Sequence, residues 1–176
     1  QTEALYGLTN IITSYNIIDG AQDIELSQKG VHVVGNTVVE VIDGVEDYIN
    51  LLRRTFDFNK IRSLIARSDF TMVYDAMHGV SGIYAKRVLV EELGADCSSL
   101  LRCEPLEDFG GCHPDPNLTY ASELVKILSL STEISSEAEP PVFGAAGDGD
   151  GDRNMILGKG CFVTPSDSLA IIAANA

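Results

Sequence analysis

The feature that most constrains this chain is the alternation of short apolar strands with amphipathic stretches between residues 70 and 146. Residues 70–75 read as a strand, and Gly79 to Gly82 lead into a helical stretch carrying Ile83, Val88, Leu89 and Leu93, stopped by Gly94. Residues 97–103 read as a second strand, 120–130 as a helix and 142–146 as a third strand. Strand, helix, strand, helix, strand is the pattern of a parallel sheet with helices on its faces. Two more strand-like runs follow, 154–157 and 161–164, joined by Gly158-Lys159-Gly160. The loop at 147–153 is short enough for a hairpin-like return, which makes the fourth strand antiparallel. The predicted class is α/β: a three-layer α/β/α unit with a mixed, mostly parallel four-stranded sheet. Pro165-Ser166-Asp167-Ser168 opens a closing helix, with Ser166 as the expected N-cap.

Upstream, Leu5, Leu8, Ile11, Ile12 and Tyr15 recur at helical spacing and predict an amphipathic helix over 4–15. Residues 36–42 are β-branched and strand-like, and Asp43-Gly44 breaks them. Val45, Tyr48, Ile49, Leu52 and Phe56 then predict a helix, with a shorter one through Ile61, Leu64 and Ile65. A boundary near residues 41–45 divides the chain into 1–41, the tail of a preceding domain, and 42–176, one nearly complete α/β unit. Residues 131–140 are acidic and aperiodic, the composition of a solvated loop.

With 176 residues, 45% of them hydrophobic, the chain has apolar material for a proper core. It starts on Gln1 and ends on the apolar run from Leu169, which reads as a piece of a longer polypeptide; that run is too short to span a bilayer. The formal charge of −14 repels phosphate backbones and anionic lipid, so nucleic acid and membrane are poor partners. Cys97, Cys103, Cys112 and Cys161 form no CxxC pair and read as four reduced thiols of a cytosolic protein. The minority alternative is a zinc site using Cys112 and His113.

Chemistry concentrates in Asp148-Gly149-Asp150-Gly151-Asp152-Arg153, directly after the third strand. Three carboxylates this close repel one another, and a divalent cation relieves the repulsion. The interleaved glycines can take φ > 0 and so let a short loop curl its carboxylates around one ion. A calcium EF-hand needs Gly at the sixth loop position and Glu at the twelfth, where this chain has Arg153 and Lys159. A phosphoaspartate transferase, with Asp148 as nucleophile and Asp150 as acid or base, remains open, as does a merely solvated loop. The spacing favours Mg²⁺ on Asp148, Asp150 and Asp152 with coordination positions left for phosphate. Arg153 can fork onto phosphate oxygens, against the bland reading of a surface ion pair with one of the aspartates.

Two other stretches lie at the carboxyl ends of strands, where ligands bind in open α/β sheets. In Asp75-Ala76-Met77-His78-Gly79, His78 reads equally as a packed turn residue or a functional one. In Gly110-Gly111-Cys112-His113-Pro114-Asp115-Pro116-Asn117, His113 is a candidate to touch substrate, or else a structural partner of Asp115.

Asp75 to Val80, Pro105 to Gly111, His113 to Ala121 and Asp148 to Gly158, in this order, resemble the second domain of the phosphoglucomutases in the α-D-phosphohexomutase family. The resemblance implies a multidomain cytoplasmic enzyme that interconverts glucose 1-phosphate and glucose 6-phosphate through bound glucose 1,6-bisphosphate. It implies a phosphoserine on the preceding domain, Mg²⁺ held by Asp148, Asp150 and Asp152, and a phosphate contact from Asp152 and Arg153, with His113 as a further candidate. No phosphoserine loop, sugar-selecting loop or final phosphate loop of that family occurs in these residues, so this stretch is expected to be inactive alone and to work with the remaining domains of its chain on a hexose phosphate. The alternative is a noncatalytic relative with a structural or trafficking role. Two positions depart from the family pattern: Gly147, expected to loosen the entry to the aspartate loop, and Cys112.

Overall fold

The computed structural model describes residues 2–17, 19–20, 23–130 and 139–175. Most of the predicted loop at 131–140 lies outside them. The chain divides into two compact units, Gln1–Gly44 and Val45–Ala176.

The first unit holds helix α1 (Thr2–Thr9) and an antiparallel pair, β1 (Gly30–Val34) and β2 (Thr37–Val41). α1 ends six residues before the predicted limit at 15. Ile11, Ile12 and Thr13 are β-branched, which disfavours helix, and the apolar face that would offset this is exposed at Leu5, Leu8, Ile11, Ile12 and Tyr15. β1 carries no strand signal that the sequence pattern singled out, and it is held by its pairing with β2.

The second unit begins at helices α2 (Gly44–Thr55) and α3 (Phe58–Ile65). Asp57 caps α3, its carboxylate accepting from the amides of Asn59 and Lys60. Next come β3 (Met72–Asp75), helix α4 (Ser81–Ala85) continuing as a π-helix over Lys86–Glu92, β4 (Leu100–Leu101) and helix α5 (Ser122–Ile127). Strands β5 (Phe143–Gly147), β6 (Asn154–Gly158) and β7 (Cys161–Val163) and helix α6 (Pro165–Asn175) complete it. The sheet has five strands, not four, in the order β4-β3-β5-β6-β7. β4, β3 and β5 are parallel, while β5–β6 and β6–β7 are antiparallel, so the sheet is half antiparallel by pairing. The fifth strand arises because Gly160 at φ +62° turns the chain tightly enough for Cys161 to pair with Gly158. At the other edge, the predicted strand over 97–103 shrinks to two residues. The Asp96 carboxylate accepts from the Ser98 amide and starts a 3₁₀ turn, and Arg102 at φ +48° ends the strand.

Crossovers between parallel strands are right-handed. The β3-to-β4 crossover runs outward and the β4-to-β5 crossover steps back past β3, which puts α4 and α5 on opposite faces. The side chains agree. Val73 joins Leu124 and Leu128 in the core with Ala146, Met155 and Leu157, while Tyr74, one residue on, hydrogen-bonds Ser81 at the start of α4. α6 is capped by Thr164 and not by Ser166: Thr164 Oγ1 accepts from the Asp167 amide and donates to its carboxylate. Pro165 thus takes the first helical position, where its missing N–H costs nothing.

Candidate metal centre

β3 sends its chain towards β4 on one side, and β5 sends its chain towards β6 on the other. In open α/β sheets ligands bind outside the carboxyl ends of such a diverging strand pair. Residues 76–80 leave β3 there and residues 148–153 leave β5. The two segments are docked: the Val80 amide donates to the Gly149 carbonyl at 3.0 Å. Gly79 permits this approach, since a Cβ on it would lie 2.8 Å from the carbonyl oxygens of both Asp148 and Gly149.

Asp148 is 1% exposed at the end of β5. Its Oδ1 accepts the Arg153 amide at 3.0 Å and its Oδ2 accepts Arg153 Nε at 2.9 Å, while the Asp148 amide donates to the Arg153 carbonyl at 3.2 Å. Burial works against its charge, but these bonds from Arg153 outweigh it and hold the carboxyl below its usual range. Gly151 turns the loop at φ +80°. Gly149 serves differently: a Cβ there would stand 3.0 Å from the Phe109 ring.

Asp150 and Asp152 are exposed, and one oxygen from each of the three aspartates lies within 4.8 Å of the others. Magnesium–oxygen distances of about 2.1 Å separate octahedral ligand oxygens by about 3 to 4 Å, so small side-chain rotations would let the three fit one such ion. Electrostatics agree with that fit. The charge of Asp150, and then that of Asp148, push the Asp152 carboxyl up against the opposing pull of Arg153, whose Nε lies 3.8 Å away.

Arg153 also donates from Nη1 to Asp115 Oδ1 at 2.6 Å. The ion pairing weighed for Arg153 therefore exists, and it involves Asp115, 38 residues away, as well as Asp148. Asp115 is held in turn by Asn117 Nδ2 at 2.7 Å. His113 is not its partner: the imidazole is exposed and stacks on Tyr120 with ring centres 4.6 Å apart. His78 is a turn residue at φ +58°, its Nδ1 2.8 Å from the Glu104 carbonyl. Gly147 does not leave a loose entry to the loop. It is buried, and a Cβ there would lie 2.6 Å from the Tyr74 hydroxyl, so the tyrosine fills the space. Cys112 is exposed, its thiol 3.7 Å from the Gly110 carbonyl. All four cysteines are free, and among the described residues the only cluster able to hold a metal is the aspartate triad.

The sequence reading missed one buried element of this region. Asp75, 0% exposed, forms a two-point ion pair with Arg102 through Nε at 2.9 Å and Nη2, and accepts the Met77 amide at 2.9 Å. This pair ties the end of β3 to the end of β4 beneath the docked loops. Met77 and Arg102 both take positive φ to allow it.

The family model for the phosphoglucomutase/phosphomannomutase alpha/beta/alpha domain II matches residues 46–160. Cytoplasmic phosphoglucomutases of Solanum tuberosum and Populus tremula are 55% and 56% identical over 99% of this chain. The chain spans about 30% of the length of these relatives. The crystal structure of the exocytosis-sensitive phosphoprotein pp63/parafusin, a phosphoglucomutase from Paramecium in its open form, superposes with a TM-score of 0.80 at 50% identity, covering 87% of this chain and 28% of that one. Three parallel strands, an antiparallel return through an aspartate loop, and these matches lead to one conclusion: the chain belongs to the phosphoglucomutase/phosphomannomutase family and carries its α/β/α domain II.

Proposed function

We propose that this chain is the metal-binding segment of a cytoplasmic phosphoglucomutase that interconverts glucose 1-phosphate and glucose 6-phosphate through glucose 1,6-bisphosphate. The single observation that carries the reading is the convergence of Asp148, Asp150 and Asp152, with oxygens within 4.8 Å, beside Arg153 at the mouth of the β3–β5 crevice. In this reading residues 1–41 are the tail of the preceding, phosphoserine-bearing domain and 42–176 form the metal-binding domain. The three aspartates would hold Mg²⁺, which when bound neutralises charge on the transferring phosphoryl group. Arg153 keeps its second terminal nitrogen for phosphate oxygens while Nε and Nη1 stay on Asp148 and Asp115. Phosphoryl transfer is catalysed mainly by positioning and charge stabilisation, and a guanidinium fixed by two carboxylates supplies both without reorganising.

The test is glucose 1-phosphate turnover, with glucose 1,6-bisphosphate and Mg²⁺, by the full-length protein that carries this sequence. Wild-type protein is expected to turn over, and Asp150→Ala to lose about a hundredfold or more, the scale of removing one charge-stabilising group. Unchanged turnover in the variant removes the metal role. A folded wild type with no turnover turns the reading to a noncatalytic relative.

A further inference from the structure

We propose that Asp115 is a positioning residue of this site, acting through Arg153; the proposal rests on the functional reading above. The turn carrying Asp115 is fastened to the aspartate loop at both ends. At the loop's entry the Gly149 amide donates to the Pro114 carbonyl at 3.2 Å, and the Pro114 ring sits 3.3 Å from where a Gly149 Cβ would be. At its exit Arg153 Nη1 donates to Asp115 Oδ1 at 2.6 Å. Asp115 is not free to follow a moving arginine. Its Oδ2 accepts from Asn117 Nδ2 at 2.7 Å, and Asn117 Oδ1 accepts the amides of Thr119 and Tyr120, both at 2.9 Å. Pro114 and Pro116 restrict φ on either side.

Arg153 needs such a holder. Its side chain is 63% exposed, and one carboxylate contact leaves the long stem free to pivot about Nε. A second carboxylate on Nη1 fixes the guanidinium plane, because the planar fork makes two contacts in a set geometry. Asp115 thereby aims the remaining N–H donors while Nε stays on Asp148. Asp115 lies outside the triad whose oxygens converge, so its loss leaves the ligands in place.

The experiment compares wild type, Asp115→Asn, Asp115→Glu, Arg153→Ala and the Asp115→Asn/Arg153→Ala pair in the full-length protein. Asn preserves an acceptor for Asn117 and removes the charge that holds Arg153. Expected are a kcat for Asp115→Asn lowered about tenfold to a hundredfold, the scale of a misplaced catalytic contact, partial recovery in Asp115→Glu, Mn²⁺ affinity within about threefold of wild type by EPR titration, and no further loss in the double variant beyond Arg153→Ala. Losses that multiply in the double variant, or unchanged kcat in Asp115→Asn, overturn the proposal. A second readout does not depend on turnover. Phenylglyoxal modification mapped by mass spectrometry should accelerate about fivefold or more at Arg153 in Asp115→Asn, with Arg54 unchanged as internal control. If wild type modifies Arg153 as fast as the variant does, the clamp does not exist. If wild type fails to turn over glucose 1-phosphate while the labelling difference persists, the functional reading falls and the positioning contact stands.

Discussion

Asp148 and Asp152 sit four residues apart and experience opposite fields. Asp148 is buried but bonded twice by Arg153, whereas Asp152 is exposed and meets mainly the charges of Asp150 and Asp148. A carboxyl whose folded pKa is raised favours folding while protonated, and that contribution disappears as pH rises through the raised value. At pH 7 without a divalent ion, ionised Asp152 therefore works against the loop. Asp152→Asn should melt no lower than wild type in chelator at pH 7, and its melting temperature should rise less on adding millimolar Mg²⁺; thermal melts with and without the ion check both. The thiols differ in the same local way. Burial first of all pushes Cys103 up to about 11, while Cys97, Cys112 and Cys161 are exposed. An Ellman titration of the native chain at pH 8 should therefore show three fast thiols and a fourth that reacts only on denaturation. A fourth fast thiol would mean that the ends of β3 and β4 open readily. Beneath the site, removing one partner of a buried ion pair strands the other charge, so Arg102→Met should cost about 3 to 5 kcal/mol in chemical denaturation.

At the scale of elements, legibility in the sequence followed how local each cause was. The helix α3, strands β5 and β6 and the aspartate loop are written in contiguous residues, and the periodicity of apolar positions locates them. β4 was over-read because what ends it is Arg102 reaching Asp75, 27 residues back. The π-helix over Lys86–Glu92 has the same apolar spacing as an α-helix and differs only in its hydrogen bonds, such as Leu93 N–H to the Val88 carbonyl. Asp148, Asp150, Asp152 and Arg153 could be singled out together, whereas Asp115 could not be paired with Arg153, because a 38-residue contact leaves no local pattern. Gly147 shows how packing inverts a sequence expectation. Tyr74 projects from β3 onto the space beside this glycine and is fixed by Ser81 Oγ at 2.9 Å. Gly147→Ala should destabilise by about 1 to 3 kcal/mol through overpacking. Adding Tyr74→Phe removes the colliding hydroxyl and should return part of that loss, a coupling that denaturation of the single and double variants would measure.

Across the whole molecule, every described ligand candidate and the guanidinium beside it belong to the unit Val45–Ala176, together with the five-stranded sheet and its core around Leu124, Leu128, Met155 and Leu157. The unit Gln1–Gly44 contributes a hairpin and a short helix whose apolar residues are exposed. This division predicts where stability and metal binding reside. Residues 45–176 expressed alone should unfold in one cooperative transition, since the sheet, both face helices and the buried Asp75–Arg102 pair are all included. On the proposed reading they should bind Mg²⁺ weakly, because three carboxylates would leave coordination positions for a phosphate ligand supplied from another domain. Calorimetric titration should return a dissociation constant in the millimolar range, with no preference of more than about tenfold for Ca²⁺. Tight, Ca²⁺-selective binding would mean that the loop closes a complete cage by itself. That would contradict the proposed function, in which the ion is shared with phosphate.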